Sequence, residues 1–500
     1  MTIYRPTQSV INKQSKPLAL LLQALCILVL ISCENTVTSD ACIDESLCID
    51  SLDNLSIEAL RSRTYDTTIL VAQQLGSPNQ PTSYSDYFSS DGTAPYPSYM
   101  ISYDSDGLNN YARIDIPVSS APEAGFPVLV FAHGWVGIEG APYYNFGYEP
   151  ESFYGELVDT YVDAGYLVIT PGYRGHGTID NRPAGGIEYM QAWDNGSYLM
   201  PTFYAIDLLN LIEGLDQISA LDWKDPLQNQ VQLNLGSINL LAHSQGGDVA
   251  LTALAISGKG SSIKHPFSAA SIWSGNIPDR FTQANTFGAM ASSLQAFMSG
   301  DGSWTGSALG QDGSLNPDFI FAWPADWIGT LDTSSEDWTW QIEQWDSASV
   351  EAATAGKYQE MYNTLNSLVR DTDSAAFEIG RTETGKLQIT HSQEIVKAMN
   401  AIGGFGAERY LSEPLALHFS DRDYYSFPAW NKGLSERVNN IGGQSYSFEY
   451  PGNTHSLKRS SHLWFSPTGT EDGYKQAIQR DLLLFSGQDP NLEATKSILP

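Results

Sequence analysis

Three short, nearly continuous apolar runs constrain this chain more than any other feature. They are Val128-Leu129-Val130-Phe131-Ala132, Tyr166-Leu167-Val168-Ile169-Thr170 and Ile238-Asn239-Leu240-Leu241-Ala242. A strand that is apolar on both faces must be covered on both, which parallel sheets achieve by placing crossover helices over them. Helical stretches fall where that requires. Glu151 to Ala164 is one, the stripe Ile206, Leu208, Leu209, Leu211, Ile212 and Leu215 marks a second, and Gly246 to Ile256 a third. Ala269–Trp273, Leu415–Phe419 and Tyr446–Tyr450 extend the strand series, and helices near Ser435 and over Tyr474–Phe485 close it. The class is therefore α/β, a mostly parallel sheet with helices on both faces.

The alternation breaks across residues 278–410. That stretch has no obvious buried strand but holds Trp304, Trp323, Trp327, Trp338, Trp340 and Trp345, half of the chain's 12 tryptophans. Lying between sheet strands, it is expected to be a large helical cap or lid inserted into the domain formed by 58–277 and 411–500. Its tryptophans either face substrate or fill the cap's own small core. The chain's 500 residues accommodate two to three domains, or one large domain with such an insertion.

The chemistry concentrates where strands end. Ala242-His243-Ser244-Gln245-Gly246-Gly247 joins a buried strand to a helix of small residues. A turn that tight tolerates only small side chains two positions either side of the serine, and Ala242 and Gly246 meet the requirement. Ser244 is the candidate nucleophile and the following helix N-terminus faces any oxyanion that develops. A serine needs a base and a group to orient it. Of 8 histidines, His455 is the candidate base, because it leaves the last strand at the same sheet edge. His243 adjoins the serine and is expected to point away; His418 sits within a strand and is expected to be packed. Asp423 is the candidate acid after Leu415–Phe419, with Asp421 the alternative. Oxyanion donors are expected from the amides of Gln245 and Trp135. His133, Gly134, Tyr173 and Arg174, in loops after the first two apolar strands, are expected against substrate.

The N-terminus reads as an address. Arg5, Lys13 and Lys16 precede an apolar run from Pro17 to Ile31, too short for a stable membrane span and built like a secretory signal. It ends in Leu30-Ile31-Ser32-Cys33, which resembles a bacterial lipobox; an ordinary signal peptide is the alternative. The resemblance implies removal of residues 1–32, diacylglycerol on Cys33 and, with Glu34 next, a lipid anchor in the outer membrane of a bacterial envelope. Residues 33–57 are expected to be an acidic, solvated tether, with six acidic and no basic residues from Glu34 to Asp53. Cys42 and Cys48 are close enough in sequence for a small disulfide in an exported protein, and too few cysteines remain for a cysteine metal site. The chain carries 26 Lys+Arg against 57 Asp+Glu, a net charge of −31. That balance excludes nucleic acid as a partner, because phosphate binding depends on clustered cations.

Together these residues resemble the α/β-hydrolase superfamily, with nucleophile, acid and base in the order Ser244, Asp423, His455. Within it they resemble the prolyl-oligopeptidase-like and dienelactone-hydrolase-like catalytic domains. Supporting segments are Tyr103-Asp104-Ser105-Asp106-Gly107-Leu108, Ile114-Asp115-Ile116-Pro117, Phe126-Pro127, and Gly165-Tyr166 leading to Tyr173-Arg174-Gly175-His176-Gly177. The resemblance runs from about Tyr99 to Phe485, outside the insertion. It implies a cofactor-free serine hydrolase cleaving small esters through an acyl-enzyme. A peptidase of short peptides is one alternative, and an inactive surface-binding lipoprotein another.

Overall fold

The computed structural model describes residues 45–76, 96–135, 153–179, 182–223, 231–291, 347–371, 375–385, 387–420, 426, 428–450, 455–457 and 472–492, all within one compact unit, Asp40–Pro500. In chain order the strands are β1 (Ile69–Gly76), β2 (Ser98–Ser105), β3 (Leu108–Asp115), β4 (Phe126–Ala132), β5 (Leu167–Pro171), β6 (Thr178–Ile179), β7 (Arg182–Pro183), β8 (Leu233–His243), β9 (Ala269–Trp273), β10 (Phe377–Arg381), β11 (Leu387–His391), β12 (Leu415–Phe419) and β13 (Ser445–Glu449). Nine of them form one sheet in the order β1-β2-β3-β5-β4-β8-β9-β12-β13. The six strands from β5 to β13 in that order pair in parallel. The fold class expected from the apolar runs is present, in the arrangement of the α/β-hydrolase fold.

The three antiparallel strands β1 to β3 at one edge are an addition that the sequence pattern did not predict. Asp106 and Gly107, at φ 53° and φ 80°, make the two-residue turn between β2 and β3. Both central positions of such a turn need positive φ, which Asp-Gly supplies at low cost.

The pleat sorts each buried strand onto two cores. From β4, Val128, Val130 and Ala132 join a core shared with α4 (Met200–Glu213) and α5 (Gln245–Ser257). Leu129 and Phe131 face the other way, into a core shared with α2 (Phe153–Asp163) and the helix Asp472–Phe485. Helices therefore cover both faces, and α4 is buried almost all round. Because it is enclosed on every side, its periodicity is weak and only part of its length stood out as a stripe.

One expectation changes. The segment expected to be a tether to residue 57 is docked from its first described residues. Leu47, Leu52, Leu55 and Ile57 are buried, Ile49 bridges Val369, and the Trp193 indole donates to the Leu47 carbonyl. Counting acidic residues concealed the apolar ones among them, which are spaced to bury. Within 278–410, α6 (Arg280–Ala291) packs on the helix Ser347–Leu368, whose Tyr358, Met361, Tyr362 and Leu365 join the core of the sheet domain. This stretch also contains the exposed β10–β11 hairpin. Its six tryptophans lie outside the described residues, as do Cys33 and Cys42; Cys48 is disulfide-bonded. No helix among the described residues is long and apolar enough to cross a membrane.

Candidate active site

The sheet's order creates the site. After β4 the chain adds β5 on one side, and β8 occupies the other, so loops leaving β4 and β8 diverge over a crevice at their carboxyl ends. Ala132 pairs with Ala242, His243 with Trp273, Trp273 with His418 and Phe419 with Glu449. The ends of five parallel strands are thus level, and the loops that carry Gly134, Ser244, Ser274, Ser420 and Tyr450 leave from one rim.

Ser244 stands between β8 and α5 at φ 57°, ψ −125°. A non-glycine residue held there costs about 1–3 kcal/mol and persists only where its surroundings impose it. Three backbone bonds do so. Its N–H donates to the Trp273 carbonyl at 3.1 Å, and its carbonyl accepts from Gly247 and Asn276, each at 2.9 Å. Space around the turn matches: a Cβ on Gly246 would overlap the Ala132 carbonyl and come within 2.7 Å of the His133 oxygen. The serine side chain is partly exposed at the N-terminus of α5, where amides point outward.

Gly134 lies against the serine, since a Cβ there would sit 3.0 Å from Ser244 Cβ and 2.5 Å from the Tyr154 hydroxyl. Its N–H donates to that hydroxyl at 2.9 Å. Trp135 follows with its side chain half exposed, at 51%. Across the rim His455 is 1% exposed, its ring 4.7 Å from the ring of His243. The His243 Nε2 lies 3.0 Å from the His455 carbonyl oxygen and its Nδ1 2.9 Å from the Tyr154 hydroxyl. Burial pushes His243 well below the ordinary histidine range, and the neighbouring His455 adds to that. The structure thus brings Ser244, Gln245, Gly134, Trp135 and His455 into one neighbourhood. Asp421 and Asp423 lie outside the described residues; β12 delivers the chain to buried Ser420, immediately before them.

Three residues expected against substrate are placed elsewhere. Arg174 is 1% exposed, and its Nε and Nη2 bond the Asp207 carboxylate at 2.6–3.1 Å, with Asp106 as a further partner. Its charge is neutralised inside the protein, as a buried guanidinium requires. Tyr173 is also buried, stacked between His133 and Tyr204 at 4.7 Å and 4.5 Å. His133 itself is buried, with Nδ1 2.8 Å from the Gly134 oxygen. Desolvation pushes it down to about 4, so it is neutral and shapes the loop from beneath. Only Gly134 of the four touches the serine.

Sequence reasoning missed Tyr154 and the role of His243. Nothing marks a tyrosine in the first turn of α2 as returning to a loop twenty positions earlier. His418 is packed as expected, hydrogen-bonded to Tyr450 and to Asp481, whose other oxygen accepts from Tyr161 and Trp273. Among the described residues no group of three or more His, Cys, Asp or Glu side chains is placed to hold a metal ion.

No protein-family model and no curated protein matches the sequence. Solved structures with a similar course of chain include an acylaminoacyl peptidase of Pyrococcus horikoshii, at 13% identity and TM-score 0.41, covering 81% of this chain and 44% of that one. The similarity therefore spans less than half the length of that peptidase. An acetyl xylan esterase from Paenibacillus sp. R4 is similar at 14% identity and TM-score 0.37, over 80% of this chain and 86% of that one. Acetyl xylan esterase 1 from Thermoanaerobacterium sp. JW/SL YS485 is similar at 12% identity and TM-score 0.36, over 81% and 89%.

Proposed function

We propose that the protein is a serine hydrolase that transfers the acyl group of an ester to Ser244 and then to water. The observation that carries this reading is the strained Ser244, held at φ 57° on the strand-to-helix turn and partly open to solvent, with buried His455 packed against the adjoining His243. Such strain recurs where a side chain must be presented at a fixed angle. In this reading His455 takes the Ser244 proton as Oγ attacks the carbonyl carbon, and returns it to the departing alkoxide. Asp423, or Asp421 in its place, holds the imidazole and offsets its positive charge. The amides of Gln245 and Trp135 stabilise the oxyanion. Water, deprotonated by His455, then releases the acid. No metal or organic cofactor takes part. The reading includes export and a lipid anchor on Cys33, in a bacterial outer membrane.

Ser244→Ala is expected to abolish turnover of p-nitrophenyl acetate and labelling by a fluorophosphonate, with the unfolding midpoint unchanged. Wild-type rates in that variant would end the proposal. Parallel assays on p-nitrophenyl esters and on aminoacyl p-nitroanilides separate ester from peptide hydrolysis, with faster turnover of the esters expected.

A further inference from the structure

We infer that His243 and Tyr154 are positioning residues, a proton-ordered strut that fixes the base loop and the oxyanion loop on either side of Ser244. The inference rests on the reading of Ser244 and His455 given above and adds to it two residues outside the triad.

Donor and acceptor chemistry sets the direction of every bond in the strut. The His455 carbonyl can only accept, so His243 Nε2, 3.0 Å away, carries the proton and donates. Full burial disfavours the imidazolium, so Nδ1 is left with a lone pair. The Tyr154 hydroxyl, 2.9 Å from Nδ1, then donates to it. Its oxygen accepts from the Gly134 N–H at 2.9 Å. The chain reads Gly134 N–H to Tyr154 O–H to His243 Nδ1, and His243 Nε2–H to His455 O. A single tautomer satisfies all three bonds.

Two consequences follow for the reaction. The base loop is held by its own backbone at position 455, to the residue directly before the nucleophile. Displacement of the backbone at His455 relative to Ser244 therefore requires breaking a buried hydrogen bond. The Gly134 amide is also committed to Tyr154, so it does not serve the oxyanion. The Tyr154 hydroxyl is excluded as an oxyanion donor for the same reason, because its proton is held by His243.

Tyr154→Phe removes the hinge of the strut while keeping the ring that packs edge-on against Phe131. Its kcat on p-nitrophenyl acetate is expected to fall about 10- to 100-fold, the scale of a small misplacement of reacting groups, with KM within about twofold. Long-range proton–nitrogen spectra of histidine-labelled protein at neutral pH are expected to show His243 in the Nε2–H tautomer in wild type. A mixture with the Nδ1–H form is expected in the variant. A wild-type His243 in the Nδ1–H form overturns the inference, whether or not the variant folds. A wild type that reacts with fluorophosphonate, beside a Tyr154→Phe variant that keeps its kcat, overturns the positioning role alone. A wild type that fails to react overturns the serine-hydrolase reading on which it rests.

Discussion

Ser244 and the glycines near it show how little freedom the rim allows. Gly246 has no left-handed φ to justify it; what excludes any side chain is the carbonyl of Ala132 lying where a Cβ would go. The two atoms of that carbonyl are backbone of the central strand β4, which cannot shift without disturbing the sheet, and the His133 oxygen just beyond it crowds the same space. Gly246→Ala is therefore expected to destabilise by roughly 3 kcal/mol, the upper range for overpacking, read as a lower urea midpoint. An unchanged midpoint would show that α5 can move away from β4. This requirement was legible in the sequence, because the elbow's spacing demands it. Tyr154 was not legible, since its partner Gly134 is reached only after the chain leaves the sheet and returns along α2.

Among the elements, α5 and α6 are joined by a pair of buried charges. Asp248 in the first turn of α5 bonds Arg280 at the start of α6, and also accepts from Gln283 at 3.0 Å. Arg280 reaches Thr202 on α4 as well, at 3.2 Å. Gln283 accepts from the Asn276 side chain, and the Asn276 backbone holds the Ser244 carbonyl. The first helix of the 278–410 stretch is thereby tied to the strained turn. Asp248→Ala leaves a buried guanidinium uncompensated, and a loss of about 3–5 kcal/mol is expected. Replacing both partners, Asp248→Leu with Arg280→Met, is expected to recover most of it. Equal losses in the single and double variants would mean that packing, not charge, dominates there. In sequence these residues are an unremarkable acid and base 32 positions apart.

For the molecule as a whole, acid is the expected weakness. His133, His176 and His243 are all buried, and desolvation lowers each, His133 to about 4. In the unfolded chain they titrate near the ordinary value of 6.5. Their neutral burial supports the fold fully above about pH 6.5, and the support is lost as pH falls toward 4. The loss is about 1.4 kcal/mol per pH unit for each depressed histidine. Urea midpoints are expected to drop between pH 7 and pH 5, and His176→Phe to make that drop shallower. A midpoint independent of pH across this interval would refute the account. The three histidines are visible in the sequence, but their burial is not, because His133 and His176 follow strands into loops that elsewhere would be open to water and His243 ends β8 at the rim.

The sequence by itself determined the α/β class, the places where parallel strands end and the tight serine turn. These rest on local physics: a strand apolar on both faces has to be covered on both, and a sharp turn admits only small neighbours. Tertiary structure decided what side chains meet at the rim. It turned Arg174 inward to Asp207, enclosed Tyr173, docked the segment before residue 57 and set His243 between Tyr154 and His455. Such partners are separated by tens to hundreds of positions and are matched by donor, acceptor and charge only once the sheet has brought them together. Periodicity along the chain carries no trace of those pairings.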